Sequence, residues 1–73
     1  MLNVKKFIED NESIENKEIL INDTIYYYSI IIKNHSNIEL ILENDNYNKS
    51  ITYSVNAYTN INLNDELNYL VNL

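Results

Sequence analysis

Few side chains in this sequence are of the types that enzymes use. His35 is the only histidine, and the chain has no cysteine and no glycine. Without cysteine there is no thiolate ligand for a metal, and without glycine neither GxxxxGK[ST] nor GxGxxG can cradle a phosphate. His35 could act as a general base with Glu43 or Asp45, but the spacing favours neither, and a lone loop histidine is more often structural or solvent-exposed. We therefore predict that the protein is not an enzyme and has no catalytic residue, metal or cofactor.

Acidic side chains are abundant and are candidates for binding a partner. Eleven aspartates and glutamates stand against five lysines and no arginine, which gives a formal net charge of −6. Five acids lie within ten residues, with Lys17 the only base among them: Glu9, Asp10, Glu12, Glu15 and Glu18. This run could imitate spaced phosphates and occupy a basic groove, or it could be a solvated helix end and loop, which is the more common case. The charge argues against direct nucleic-acid binding, because phosphates require Lys or Arg, and it fits a larger basic protein as partner.

Length and composition limit the number of domains and indicate the cellular compartment. Seventy-three residues are enough for one domain, predicted over 1–73, and a domain of this size buries only about 60% of the surface of its unfolded chain. The lack of cysteine, of a signal peptide and of any long apolar run favours a cytoplasmic protein without membrane contact. Fifteen asparagines and twelve isoleucines are typical of an AT-rich genome, so we assign no function to the abundance of asparagine. With no glycine or proline, turns must be made by Asn, Asp and Ser.

Two segments have helical spacing, one near each end of the chain. Asn3 is a predicted N-cap, with Leu2 and Phe7 as a hydrophobic staple, and this helix should end near Asn11. Asn62 is the predicted N-cap of the second helix. The apolar stripe of that helix consists of Leu63, Leu67, Leu70 and Val71.

Between Glu18 and Tyr58 the apolar spacing changes to the period of two that is typical of strands. An Asn22–Asp23 loop suits a type I′ hairpin, because both residues tolerate positive φ. We predict a three-residue loop at Asn34–Ser36 and a four-residue loop at Asp45–Asn48. These loops set the pairs Ile21/Thr24, Ile19/Tyr26, Ile32/Ile38, Ile30/Leu40, Tyr28/Leu42, Leu42/Ile51, Leu40/Tyr53 and Ile38/Val55. The predicted fold is α+β: an N-terminal helix, a four-stranded antiparallel β-meander and a C-terminal helix, with both helices on one sheet face.

This register divides the strand residues between two faces. The face covered by the helices is predicted to carry Ile19, Ile21, Tyr26, Tyr28, Ile30, Ile32, Ile38, Leu40, Leu42, Ile51, Tyr53, Val55 and Ala57. The opposite face carries Glu18, Leu20, Ile25, Tyr27, Ser29, Ile31, Glu39, Ile41, Glu43, Ser50, Thr52, Ser54, Asn56 and Tyr58, with Glu18, Tyr27, Glu43 and Ser50 in one row. Its predicted centre has the apolar middle and charged rim of many interfaces: Tyr27, Ile31 and Ile41, bordered by Glu39 and Glu43. Alternatively, these apolar side chains only pack on their neighbours.

We expect this face and the acidic run to bind a protein. In size, charge and AT-rich composition the chain is similar to small inhibitors from phages and mobile elements, including anti-CRISPR and anti-restriction proteins. The likeness is one of class, since no motif carries it and no residue role transfers, and it implies a target among basic nucleic-acid-binding effectors. The alternatives are an immunity protein or antitoxin, and a structural homo-oligomer. A homodimer would form through the Tyr27 face or through Ser50–Tyr58, a neutral strand with no inward lysine, unless the C-terminal helix covers that edge.

Overall fold

The computed structural model describes residues 1–10 and 12–73, in which there are two helices and six strands. In chain order they are β1 (Leu2–Asn3), α1 (Val4–Asp10), β2 (Ile14–Ile21), β3 (Thr24–Asn34), β4 (Asn37–Asn44), β5 (Tyr47–Ser54), β6 (Asn60–Ile61) and α2 (Leu63–Val71). The strands β2 to β5 form an antiparallel meander in sequence order, and β1 pairs with β6. This arrangement confirms the predicted α+β fold.

Both helices begin at an asparagine cap, as predicted. The side-chain oxygen of Asn3 accepts a hydrogen bond from the Lys6 backbone N–H at 2.8 Å. The side-chain oxygen of Asn62 accepts one from the Asp65 backbone N–H at 3.2 Å. These bonds satisfy donors that the first helical turn leaves without partners. α1 has only seven residues, and the predicted end of this helix at Asn11 lies outside the described residues.

The two helices pack on the same face of the four-stranded sheet, as predicted. Their buried side chains belong to one apolar core together with those of the sheet. The core consists of Val4, Phe7, Ile21, Ile30, Ile38, Leu40, Leu42, Tyr53, Ile61, Leu67 and Leu70. Removal of this apolar surface from water is the main force that stabilises the fold.

The β2–β3 hairpin has the predicted turn and register. Asn22 and Asp23 form the turn with φ values of 50° and 64°. Ile21 pairs with Thr24 across the turn, and Ile19 pairs with Tyr26. Asn and Asp tolerate this left-handed conformation better than most residues, so the hairpin closes without a glycine.

The other two turns of the meander are tighter than predicted. Asn34 and Asn44 each accept a side-chain hydrogen bond, at 2.8 and 2.9 Å, from the backbone N–H two residues later. These local turns leave only His35–Ser36 and Asp45–Asn46 between the strands. In the β3–β4 hairpin the register shifts after Ile32, which compensates for the turn being one residue shorter than predicted. The predicted pairs of these two strands are therefore confirmed.

The register of β5 differs from the prediction by two residues. Leu42 pairs with Lys49 instead of Ile51, and the other predicted pairs of these strands are displaced in the same way. Because side chains alternate between faces with a period of two, this displacement keeps Ile51 on the covered face. The shorter turn also adds Tyr47 to that face, where its ring lies edge-on to Tyr26 with centroids 5.7 Å apart.

The last strand of the meander ends at Ser54, so its prediction as Ser50–Tyr58 is wrong in its bounds. The backbone N–H of Tyr58 donates to the Ser54 carbonyl at 2.8 Å in the turn that follows. Ala57 lies in this turn and is exposed, whereas the prediction placed it on the covered face. The chain then forms β6 against β1. Neither of these strands was predicted, because two residues are too few to show a period of two.

β2 contains a bulge that was also not predicted. Glu15 and Asn16 together stand opposite Ser29, because the register shifts within β2. Asn16 has a φ of 53°, and its backbone N–H donates to the Ser29 hydroxyl at 3.1 Å. Ser29 is only 7% exposed. Apolar alternation cannot reveal this bulge, because Glu15, Asn16 and Lys17 are all polar.

Candidate partner-binding face

The sheet face opposite the helices carries alternate residues of β2 to β5. One cross-strand row consists of Glu18, Tyr27, Glu43 and Asn48. The prediction that Ser50 ends this row is wrong because the β4–β5 turn is two residues shorter, and Ser50 lies one row further on. Neighbouring strands are about 4.8 Å apart, so the two glutamates flank Tyr27 at roughly 10 Å from each other.

The exposed apolar centre of this face is displaced from the predicted one. Leu20, Ile25 and Tyr27 are 66%, 49% and 41% exposed, whereas Ile31 and Ile41 are half-buried. Leu20 and Ile25 pair with each other near the β2–β3 turn, and β4 ends before it reaches them. Alternation alone predicts their face, but their exposure depends on where the neighbouring strand ends. The Tyr27 patch is defined here as Glu18, Leu20, Ile25, Tyr27 and Glu43.

Two shallow depressions flank the Tyr27 side chain. The larger, of ≈ 380 Å³, is lined by Asn16, Tyr27, Glu43, Asn44 and Asp45. The other, of ≈ 300 Å³, is lined by Ile25, Tyr27, Asn44, Asp45 and Asn46. The tight β4–β5 turn brings Asp45 to both, and the predicted four-residue loop gave no reason to assign it to the site. Neither lining contains a basic side chain, so both depressions are acidic and partly apolar.

Lysines are concentrated on the other side of the sheet. Lys17 and Lys49 lie at the two ends of a row with Tyr28 and Leu42, which belongs to the helix-covered face. Two more lysines are exposed on α1. Lys33 is the exception, and its ammonium group lies 3.2 Å from the Glu39 carboxylate in the only ion pair of the described residues. The charge of Glu39 is therefore largely compensated, whereas Glu18 and Glu43 have no such partner in the described chain.

The acidic run is divided between the two layers of the protein. Glu9 and Asp10 lie at the end of α1, in the helical layer. Glu12 is exposed in the connection that follows, and Glu15 is exposed in the β2 bulge. Only Glu18 lies in the row of Tyr27. The five acids of the run therefore lie in different elements, and the row of Tyr27 combines Glu18 with Glu43.

Both edges of the sheet carry a charged side chain that faces the helical side. The edges are β2 and β5, and they present Lys17 and Lys49 in the row described above. The prediction of a last strand without an inward lysine is therefore wrong, because the register shift brings Lys49 into it. Inward charges and bulges are features by which natural sheets avoid edge-to-edge pairing. Both edges of the sheet therefore carry features that disfavour pairing with a further strand.

His35 lies far from Glu43 and Asp45, the two acids with which it could have acted as a general base. It is in the β3–β4 turn, while Asp45 is in the β4–β5 turn at the other end of β4. Eight residues of strand separate these ends by roughly 25 Å. In the described part of the chain, no three His, Cys, Asp or Glu side chains are grouped so that they could hold a metal ion.

Comparisons with known proteins give the chain no relative. It matches no protein family, no curated protein and no solved structure. Within residues 1–10 and 12–73, neither helix has the length and apolar character needed to cross a membrane.

Proposed function

We propose that this protein binds a larger basic protein through the Tyr27 patch and inhibits it by occupying a surface that otherwise contacts nucleic acid. The observation that carries the proposal is the combination, on one uncovered sheet face, of exposed apolar side chains with two glutamates that have no lysine partner within residues 1–10 and 12–73. Apolar centres with polar rims are common in protein interfaces. Carboxylates on such a face steer a basic partner toward it and orient it there.

The arrangement of charge supports a basic protein rather than nucleic acid as the partner. Four of the five lysines lie on α1 or on the helix-covered side of the sheet, and the fifth is paired with Glu39. A phosphate backbone would meet mostly carboxylates at the Tyr27 patch. A nucleic-acid-binding protein offers the complementary lysines and arginines, which is why we name this class of target. A cytoplasmic location is part of the proposal, because such effectors act there and the cysteine-free chain needs no oxidising compartment.

A pull-down with three forms of the tagged protein tests this function. The wild type, Glu18→Lys/Glu43→Lys and Glu9→Lys/Asp10→Lys serve as baits for extracts of the source organism or its host. Both double variants change the formal charge from −6 to −2, since each substitution adds two charges, but only the first alters the Tyr27 patch. We expect one basic nucleic-acid-binding protein to be retained by the wild type and the α1 variant and to be lost from the patch variant.

Two further observations complete this test. Added salt should release the retained protein, because the distance over which exposed charges attract falls from about 10 Å at 0.1 M salt to about 3 Å at 1 M. Added DNA or RNA should displace the bait from it if the two compete for one groove. Equal retention by all three baits, or retention that neither salt nor nucleic acid affects, would contradict the proposed function.

The same baits separate the alternatives. A structural homo-oligomer would recover only its own chain and would have a mass above that of the monomer in light scattering. In that case Tyr27→Lys/Ile41→Lys should dissociate it if the sheet face that carries Tyr27 and Ile41 is the contact. An immunity protein or antitoxin would instead retain a toxin, and its expression would rescue cells from that toxin.

A further inference from the structure

We propose that the larger depression beside Tyr27 receives an arginine side chain of the partner. This inference rests on the proposed function and specifies how its patch recognises a basic protein. The depression has an aromatic wall, Tyr27, and two carboxylates in its lining, Glu43 and Asp45. A ring face together with nearby carboxylates is the chemistry that a flat cation can use through stacking and ion pairing at once.

The row geometry places negative charge on both sides of the ring. Tyr27 is the direct cross-strand neighbour of Glu18 on β2 and of Glu43 on β4. Side chains in such pairs are about 5 Å apart at their Cβ atoms. A guanidinium group that stacks on Tyr27 is therefore within reach of a carboxylate.

Asn48 holds one of these carboxylates in place. Its side-chain N–H donates to Oε2 of Glu43 at 3.1 Å, from the adjacent strand β5. The hydrogen bond orients the carboxylate and leaves its second oxygen available to a ligand. Asn16, in the β2 bulge, also lines the depression. The bulge thus contributes an amide to the same site.

Arginine suits this site better than lysine does. Its guanidinium group is planar, stacks on aromatic rings and donates along several directions at once, whereas an ammonium group is compact and strongly hydrated. The depression is shallow and open beside a half-exposed ring, which accommodates a flat group lying on the ring. We therefore expect an arginine peptide to bind more tightly than its lysine counterpart.

Titration of the isotope-labelled protein with acetyl-Gly-Arg-Gly-amide, followed by NMR, tests this inference. We expect the amide resonances of Asn16, Tyr27 and 44–46 to shift, and the side-chain protons of the peptide arginine to move upfield under the ring current of Tyr27. The same peptide with citrulline in place of arginine has the same shape without the charge and should produce little shift. Tyr27→Leu should weaken the arginine peptide by about two- to fivefold, as expected for an exposed cation–π contact.

Tyr69→Leu is the matched control, since Tyr69 is 53% exposed on α2 and lies on the helical side. It should leave the affinity for the arginine peptide unchanged. Shifts centred on Glu9, Asp10 and Glu12, or equal binding of the citrulline peptide, would overturn the inference. If the pull-down succeeds while the peptide avoids Tyr27, the proposed function stands and the arginine site is wrong. If the peptide binds beside Tyr27 but no partner depends on Glu18 and Glu43, the arginine site stands and the function is wrong.

Discussion

The two faces of the four-stranded sheet are made by alternate residues of the same strands, and they have opposite properties. In β4, Leu40 and Leu42 are buried under the helices, while Glu39, Ile41 and Glu43 lie on the uncovered face. The first set removes apolar surface from water and so holds the fold together. The second set leaves charged and apolar groups available to a partner. Substitutions one residue apart in β4 should therefore separate stability from binding.

The largest expected effect comes from opening a cavity under the helices. Leu40 is 1% exposed, so Leu40→Ala should lower the free energy of unfolding by about 3 kcal/mol. Ile41→Ala removes a side chain of the same size from the other face and should cost about 1 kcal/mol, because Ile41 is only half-buried. Urea denaturation followed by circular dichroism measures both. Equal losses for the two variants would mean that the faces do not differ in packing as described.

A second contrast concerns one tyrosine from each face. Tyr53 is fully buried in the core on the covered face. Burial, and then the charge of Glu66, raise the pKa of Tyr53 above its ordinary value of 10.0. The folded state therefore holds this proton more tightly than the unfolded state does. The resulting stabilisation is complete below pH 10 and is lost as the pH rises above that value.

Alkaline unfolding should reveal this difference between the faces. At pH 11 the wild type should have lost about 1.4 kcal/mol through Tyr53, because the unfolded tyrosine ionises while the folded one does not. Tyr53→Phe should remove that loss, whereas Tyr27→Phe on the uncovered face should retain it. Urea unfolding at pH 8 and at pH 11 gives the change in the free energy of unfolding for each of the three proteins, and groups that all three share contribute equally to these changes. An equal loss in wild type and Tyr53→Phe would contradict the expectation.

The assignment of residues to faces could be predicted from the sequence, while the turn lengths could not. The prediction for β5 was displaced by two residues, yet Ile51 and Tyr53 stayed on the covered face because the pleat has a period of two. Turn length depends on local hydrogen bonds such as that of Asn44 to the Asn46 backbone. Fifteen asparagines offer many equivalent positions for such bonds, so composition does not identify the ones that are used.

For the candidate site, too, the residues fixed by strand alternation could be predicted, whereas those that depend on turn length could not. Tyr27 and Glu43 follow from alternation and the β3–β4 pairs, which the structure confirms. Asp45 lines the site only because the β4–β5 turn is tight. Leu20 and Ile25 are exposed only because β4 ends before it reaches them. These are consequences of strand ends, which a periodic pattern does not determine.

The smallest expected change in stability comes from substitutions at Asn16, in the β2 bulge that the apolar alternation did not predict. Its φ of 53° lies in the left-handed region, which costs a residue with a Cβ about 1 kcal/mol unless it is Asn or Asp. Asn16→Ala should therefore lower the free energy of unfolding by about 1 kcal/mol, while Asn16→Gly should leave it within about 0.5 kcal/mol of the wild type. Both variants keep the backbone N–H that donates to the Ser29 hydroxyl, so this hydrogen bond is common to them.

The same pair of variants distinguishes the two roles of the bulge. Both remove the amide that lines the depression beside Tyr27, so both should weaken the arginine peptide equally if that amide contributes to binding. Only Asn16→Ala should reduce stability, because only it strains the backbone. A loss of stability as large in Asn16→Gly would assign the effect to the missing amide side chain instead. The bulge would then stabilise the sheet through the contacts of Asn16 rather than through its tolerance of positive φ.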